Sequence, residues 1–205
     1  MARRGNQEIN AGSMADIAFL LLIFFLVTTT MDVDSGIARK LPEKYQDTPE
    51  VIINDKIILD IVVNRNNQIL VEGDRNVNVE DIRQITIDFI DNGAGLSQPK
   101  DGNPGTPCDY CNGAKDPESS DHPTKAVVSL QSSRGTKYGM YVSIQNEIEG
   151  AYNELRSRYA MKTWRISYKD LLKEYKKNQT QTIKDRIDLL KEMYPQIISE
   201  PEPIK

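Results

Sequence analysis

The sequence has few of the residues that build metal centres and catalytic sites. Its 205 residues include one histidine, two cysteines and one tryptophan. A zinc site needs three or four nitrogen or sulfur ligands close together, and the sequence contains no such cluster. Catalytic-triad and phosphate-binding-loop patterns are missing as well. We therefore expect a protein that is not an enzyme and that holds no cofactor and no metal.

Positive charge is not in excess, and long hydrophobic runs are almost missing. The net charge of −4 argues against nucleic acid as a partner. The single strongly hydrophobic stretch covers residues 15–27. No small-residue cleavage site follows it, because Thr28, Thr29 and Thr30 are followed by Met31 and acidic residues. A cleaved signal peptide would need such a site. This stretch is therefore expected to remain as an anchor.

The anchor is predicted as a transmembrane helix over residues 13–32. A bilayer core of about 30 Å needs roughly 20 helical residues, so the apolar run must include neighbours on both sides. Arg3 and Arg4 lie before the helix and acidic residues follow it. The positive-inside rule then places residues 1–12 in the cytoplasm and the residues after the helix on the other side of the membrane.

Asp16 is the unusual residue of this predicted helix. A charge within hydrocarbon costs at least roughly 2.5 to 3.5 kcal/mol, and chains rarely keep one there without a use. One interpretation is proton or ion handling. The other is purely structural, because Ser13 and Asp16 have the spacing of a capping box with Ser13 as N-cap.

The remaining chain predicts a linker and one small domain. Residues 33–55 contain two prolines and little apolar periodicity, which is typical of an extended linker between the membrane and a domain. Residues 56–166 predict a small α+β domain with the order hairpin, helix, strand, helix. The predicted elements are strands at 57–63 and 68–72, a helix at 80–92, a strand at 125–131 and a helix at 138–159. A last strand is hard to find, and 161–166 is the one candidate.

An inserted segment over 93–123 differs in composition and predicts a long exposed loop. Glycine, proline, aspartate and serine dominate it, and Cys108 and Cys111 lie in its middle. In an oxidising compartment these two cysteines predict a local disulfide with a structural role. Zinc would need more ligands than His122 can add, and redox chemistry of the thioredoxin kind would need a strand and a helix around the pair.

Residues 167–205 predict a helical extension and a tail. Ser167 and Asp170 have capping-box spacing, and Pro195 ends the second of two amphipathic stretches. We expect these helices to pack on the domain or on a second copy of the chain, in preference to a dedicated partner. The last seven residues, 199–205, are predicted to be disordered.

The N-terminal part resembles the ExbD/TolR family of bacterial energy-transducing proteins. The resemblance rests on basic residues, a short polar lead, Asp16 near the start of a single span, and Leu41-Pro42 in the extended segment. It covers roughly residues 3–160 and includes the hairpin, helix, strand, helix order. The long loop and the helices after Ser167 depart from the pattern and put the identity of the periplasmic client in doubt.

The resemblance implies a subunit of a proton-driven motor in the inner membrane. In the family, the aspartate matching Asp16 is the protonatable group of the span. Two copies of the helix lie inside a pentameric ring of the multi-span partner ExbB, and the periplasmic domains act on TonB to drive outer-membrane transport. A TolR-like subunit of the envelope system is the alternative within the family. A passive single-pass anchor for a periplasmic binding domain, with Asp16 as a helix cap, is the alternative outside it.

Overall fold

The computed structural model describes residues 11–29, 55–73, 75–99 and 102–204. The chain divides into two compact units, Met1–Ala38 and Arg39–Lys205. Most of the predicted cytoplasmic N-terminus (1–12) and of the predicted linker (33–55) lies outside the described residues. Of these two segments, the structure describes only residues 11, 12 and 55.

The described residues of the first unit form one helix, α1 (Ala11–Thr29). Alanine, leucine and methionine favour helix, and the hydrophobic run contains no proline that would break it. The predicted helix over 13–32 is therefore confirmed for residues 13–29, and residues 30–32 lie outside the described part of the chain. Among the described residues, no helix is both long and apolar enough to cross a membrane. The transmembrane role of residues 13–32 stays a prediction.

The described part of the second unit includes the predicted hairpin. Strands β1 (Ile58–Val63) and β2 (Ile69–Val71) pair antiparallel, with Ile61 opposite Val71. Alternate residues of β1 are buried, as expected of a strand with one face on the core. In the turn, the Asn64 side-chain oxygen accepts hydrogen bonds from the backbone N–H groups of Asn66 and Gln68, both at 2.9 Å. The hairpin prediction is confirmed.

Five strands form a mixed sheet in the order β3-β2-β1-β4-β5. Strand β4 (Val127–Ser132) lies parallel to β1, with Ile61 opposite Leu130. The edges are β3 (Arg75–Val77), which is antiparallel to β2, and β5 (Ile198–Ser199), which is parallel to β4. The sheet thus combines the first and the last segments of the domain.

Two helices pack with the sheet into the main core. They are α2 (Val79–Ile90) and α3 (Tyr138–Trp164), both near their predicted positions. Their apolar faces and the inward strand residues are almost fully buried, which makes this cluster the main source of hydrophobic stabilisation. Its central members are Leu59, Ile61, Val63, Ile82, Ile90, Val128, Leu130, Ile144, Ile148, Tyr152 and Leu155.

Two predictions for the end of the domain are wrong. The predicted strand over 161–166 is instead the last turn of α3, which continues to Trp164 and ends at Arg165 with a left-handed φ of 56°. The tail is not disordered between Ser199 and Ile204, because β5 pairs with β4 and the Ile204 N–H donates to the Ser132 carbonyl at 3.1 Å. Pairing with a distant strand orders a tail whose own composition would leave it unstructured.

Two short helices lie between α3 and β5. They are α4 (Tyr168–Asn178) and α5 (Gln181–Met193), which confirms the helical prediction for this region. Ser167 caps α4 by accepting a hydrogen bond from the Asp170 N–H at 3.1 Å. These helices pack on α3 around a second buried cluster, whose members are Ala160, Tyr168, Leu171, Ile183, Ile187 and Leu190. They are therefore an insertion inside the domain rather than an appended extension.

The segment 93–123 is a loop as predicted, but it is anchored rather than loosely exposed. The buried Asn92 amide donates to the carbonyls of Asp116 and Ser120 at 2.9 and 2.7 Å. The Gly95 N–H donates to the Asp121 carbonyl at 2.7 Å. Because the later part of the loop binds both the terminus of α2 and the start of the loop, the loop is held against the domain.

Candidate functional site

Asp16 is the only carboxylate on α1, and it lies in the second turn with an exposed side chain. The large apolar side chains around it are also exposed: Met14, Ile17, Phe19 and Leu20 each expose 58–60 % of their surface. A helix that is apolar around its circumference is normally covered by lipid or by other helices. The described part of α1 therefore combines one ionisable group with an uncovered apolar surface.

Ser13, the predicted N-cap, lies on α1, whose described residues begin at Ala11. Residues 1–10 lie outside the described part of the chain. The capping-box interpretation of Ser13 and Asp16 therefore stays a prediction.

Cys108 and Cys111 are joined by a disulfide, with their Cα atoms 5.6 Å apart. Cys108 is buried and Cys111 is half-buried. The bridge packs on Gly93, where an added Cβ would lie 2.7 Å from the Cβ of Cys111. Gly93 also has a φ of 69°, which favours glycine. The disulfide thus lies directly on the backbone that follows α2.

Tyr110, between the two cysteines, contacts the end of α5. Its hydroxyl donates to the Met193 carbonyl at 3.0 Å. Its ring makes edge-to-face contacts with Tyr194, Tyr159 and His122 at centroid distances of 5.3, 6.1 and 5.9 Å. We call Asp91, Tyr110, Arg158, Tyr159 and Tyr194 the junction cluster, because they join α2, the loop, α3 and the end of α5. Together with Asn112 and Lys162 they line a cavity of about 30 Å³, enough for one water molecule.

Asp91 is a buried carboxyl in this junction cluster. Burial raises its pKa, and the opposing hydrogen bond from the Asn112 backbone and the charge of Arg158 only partly offset this effect. The Arg158 guanidinium lies 3.9 Å from Asp91, and the Tyr194 hydroxyl donates to Asp91 across 3.4 Å. These contacts place a proton-accepting group against a tyrosine hydroxyl, in a space that admits one water.

Arg156 is a buried cation that attaches the end of α5 to α3. Its Nε and Nη2 atoms donate to the Tyr194 carbonyl at 3.2 and 2.7 Å. Its guanidinium also lies over the rings of Tyr168 and Tyr152, 5.4 and 5.8 Å from their centroids. The side chain therefore ties α3, the start of α4 and the end of α5 together.

His122 has a structural environment. It is buried, its Nδ1 accepts a hydrogen bond from the Thr124 N–H at 3.2 Å, and its Nδ1 lies 2.9 Å from the Thr124 hydroxyl. Burial, with a smaller contribution from Lys125, lowers its pKa and favours the neutral ring. Within the described ranges, no group of three or more histidine, cysteine or acidic residues is arranged to hold a metal ion.

No local sequence pattern predicts that Asp91, Arg156 and Tyr194 lie close together. Asp91 and Arg156 belong to amphipathic helical stretches in which charged residues are expected on the exposed face. Their burial depends on contacts with residues 38 to 103 positions away. The one local signal is the Cys-Asp-Tyr-Cys sequence, which places an aromatic residue inside a short disulfide ring.

Comparison with known proteins identifies the family. Residues 2–156 match the family model described as biopolymer transport protein ExbD/TolR, which covers well over half of the chain. Among curated proteins and among solved structures, the chain has no significant match. The match includes α1 with Asp16, the hairpin, α2, the disulfide loop and most of α3, so the chain belongs to the ExbD/TolR family.

Proposed function

We propose that this protein is the ExbD-like subunit of a proton-driven inner-membrane motor, and that it couples the proton motive force to TonB-dependent transport across the outer membrane. Members of the ExbD/TolR family are membrane-anchored subunits of biopolymer transport systems. In this proposal α1 is the membrane anchor, Asp16 carries the proton, and the domain after it transmits the work. The chain itself carries out no chemical catalysis.

The observation that carries the proposal is the position of Asp16 on α1. Its neighbours Ile17, Phe19 and Leu20 expose 58–60 % of their surfaces, so the helix offers an apolar face that membrane or partner helices would cover. An ionisable residue in such surroundings is costly and is kept for a function. A carboxylate is suited to proton transfer because it gains and loses a proton without any rearrangement of the helix.

The proposed cycle alternates the charge of Asp16. Protonated and neutral, it can face a hydrophobic helix; ionised, it needs water or a polar partner. The residue loads a proton from the periplasmic side and releases it towards the cytoplasm, which is the direction in which the proton motive force drives protons. Each change of charge changes which surface α1 can contact, and that difference drives motion of the helix against its partner.

The proposed partners follow the family. An ExbB-like multi-span protein forms a pentameric ring around α1 and the α1 helix of a second copy. The domain lies in the periplasm, with the N-terminus in the cytoplasm, and acts on a TonB-like client. A disulfide between Cys108 and Cys111 supports the periplasmic placement, because such bonds persist in oxidising compartments.

A substitution at Asp16 separates the motor from a passive anchor. Asp16→Asn keeps the size of the side chain and removes its titratable charge. We expect energised uptake through outer-membrane receptors to be lost in Asp16→Asn cells, while the protein is inserted and its complex assembles normally. Ser13→Ala, about one turn before Asp16 on the same helix, is the matched control, and uptake should persist. Wild-type uptake in the Asp16→Asn strain would rule out the motor.

Purification of the native complex separates the ExbD-like function from the TolR-like alternative. An ExbB-like ring together with a TonB-like protein would support the proposal. Co-purification of envelope-constriction components, with unchanged outer-membrane uptake after deletion of the gene, would assign the chain to the TolR-like system instead. Recovery of the chain without any multi-span partner would contradict both.

A further inference from the structure

We propose that the Cys108–Cys111 disulfide is a redox-controlled latch: its reduction by a dithiol reductant releases Tyr110 from the end of α5 and loosens the C-terminal segment 193–199 from the sheet. This inference concerns regulation of the domain and does not depend on the proton chemistry of Asp16. The Tyr110 latch consists of the disulfide, Tyr110 and the contacts of Tyr110 with Met193 and Tyr194.

The ring closed by the disulfide is too short for its main effect to be general stabilisation. The two cysteines are three positions apart, and the loop-closure contribution of a disulfide is smallest for the shortest loops. The strongest effect of such a ring is on the residues within it, Asp109 and Tyr110. The disulfide therefore fixes the direction of the Tyr110 side chain more than it stabilises the fold.

Tyr110 is the contact between the loop and the C-terminal segment. Its hydroxyl donates to the Met193 carbonyl at 3.0 Å, and its ring lies edge-to-face against Tyr194, with centroids 5.3 Å apart. Four residues after Tyr194 the chain enters β5, where the Val128 N–H donates to the Ile197 carbonyl at 3.0 Å. The latch thus lies immediately before the residues that pair with β4.

Reduction changes the packing at this position. Two thiols occupy more space than a disulfide, because sulfur atoms that are not bonded remain at van der Waals separation. Cys108 is buried, and Cys111 packs on Gly93, with only 3.0 Å from its sulfur to the position of an added Cβ. The extra volume has little room on either side, so the chain between the cysteines must shift, and Tyr110 shifts with it.

Cys111 is the more exposed residue of the pair. Cys111 is half-buried, whereas Cys108 exposes 7 % of its surface. A reductant thiolate attacks the Cys111 sulfur, and the Cys108 sulfur leaves as a thiolate that takes up a proton. The second thiol of the reductant then attacks the mixed disulfide and releases Cys111. The protein gains two electrons and two protons, and the dithiol becomes a disulfide.

Hydrogen exchange of the full chain in detergent micelles tests the proposal, with dithiothreitol as the reductant. We expect reduction to raise exchange roughly tenfold in residues 193–199 and in residues 108–113, with no change in β1 or in the centre of α2. The Cys108→Ser/Cys111→Ser double variant should show the exchange of the reduced protein and no response to dithiothreitol. Tyr110→Phe, kept oxidised, should show a smaller increase confined to 193–199.

Three results would overturn the latch. If hydrogen exchange changes only in residues 108–113, the disulfide stabilises only its own loop. If exchange increases throughout the sheet, the disulfide stabilises the whole fold. A disulfide that stays unreduced in the folded chain would exclude redox control. Cys108→Ala/Cys111→Ala repeats the measurement with smaller side chains if the serine variant does not fold.

Discussion

Replacing Arg156 tests how the inserted helices and the last strand are attached to the domain. Arg156→Met keeps most of the length of the side chain and removes the guanidinium. The substitution leaves the buried Tyr194 carbonyl without its two donors, which lie at 2.7 and 3.2 Å. It also removes the cation from the rings of Tyr168 and Tyr152.

The expected change in the free energy of unfolding on Arg156→Met is the sum of two losses and one gain. An unsatisfied buried acceptor costs about 1 to 3 kcal/mol. Loss of the cation–π contacts adds about 0.5 to 2 kcal/mol for each ring. Against these losses, the neutral side chain no longer bears the cost of burying a charge, which is the main reason that the pKa of Arg156 is lowered. We expect a net destabilisation of about 2 kcal/mol, and a fall in Tm of about 4 to 8 °C.

Equilibrium unfolding of the full chain in denaturant measures this cost. Trp164 is the only tryptophan, and it lies between Tyr159 and Arg186 at the base of the inserted helices, so its fluorescence reports on their attachment. Lys176→Met, on the exposed face of α4, is the matched control and should change stability by less than about 0.5 kcal/mol. If Arg156→Met is as stable as the wild type, the guanidinium does not hold the end of α5.

Three further predictions concern the domain. In a thermal melt, Gly93→Ala should lower the free energy of unfolding by about 1 to 3 kcal/mol more than Gly102→Ala does. Both glycines have positive φ, but only Gly93 packs against the disulfide. Equal losses would refute the close packing of Gly93 on Cys111. Ser167→Ala should cost about 1 kcal/mol, and Thr180→Ala at the start of α5 less, because only Ser167 makes a side-chain cap bond; the reverse order in denaturant titrations would contradict this. Because burial raises the pKa of Asp91, the folded state binds the proton more tightly, so this residue's contribution to stability should fall as pH rises from about 4 through the folded pKa. Asp91→Asn should abolish that part of the pH dependence, and an unchanged profile would refute it.

The local elements could be predicted from the sequence because each carries its own periodicity. The hairpin has β-branched runs on both sides of Asn64, and α2 and α3 have apolar residues at helical spacing. Strands β3 and β5 have three and two residues, which is too short for any pattern. Strand β5 forms because it pairs with the free edge of β4, which lies about 70 residues earlier in the chain. The local sequence around β5 therefore does not predict it.

Of the candidate functional residues, the sequence predicts Asp16 and does not predict the junction cluster. Asp16 was identifiable because a charge interrupts an apolar run, which is a local signal. The junction cluster was not identifiable, because Asp91, Tyr110 and Tyr194 come from three distant segments and each has an ordinary sequence context. Burial of charged residues such as Asp91 and Arg156 is decided by tertiary packing, which overrides the expectation that charges stay on the surface.

The proposed motor is tested most directly by proton flux through the reconstituted complex. Liposomes containing the chain and its ring-forming partner are given a pH gradient, and internal acidification is measured for wild type, Asp16→Glu and Asp16→Asn. The account predicts that Asp16→Asn conducts no more than liposomes with the partner alone, while Asp16→Glu retains part of the flux. Wild-type flux in Asp16→Asn would contradict the assignment of Asp16 as the proton carrier.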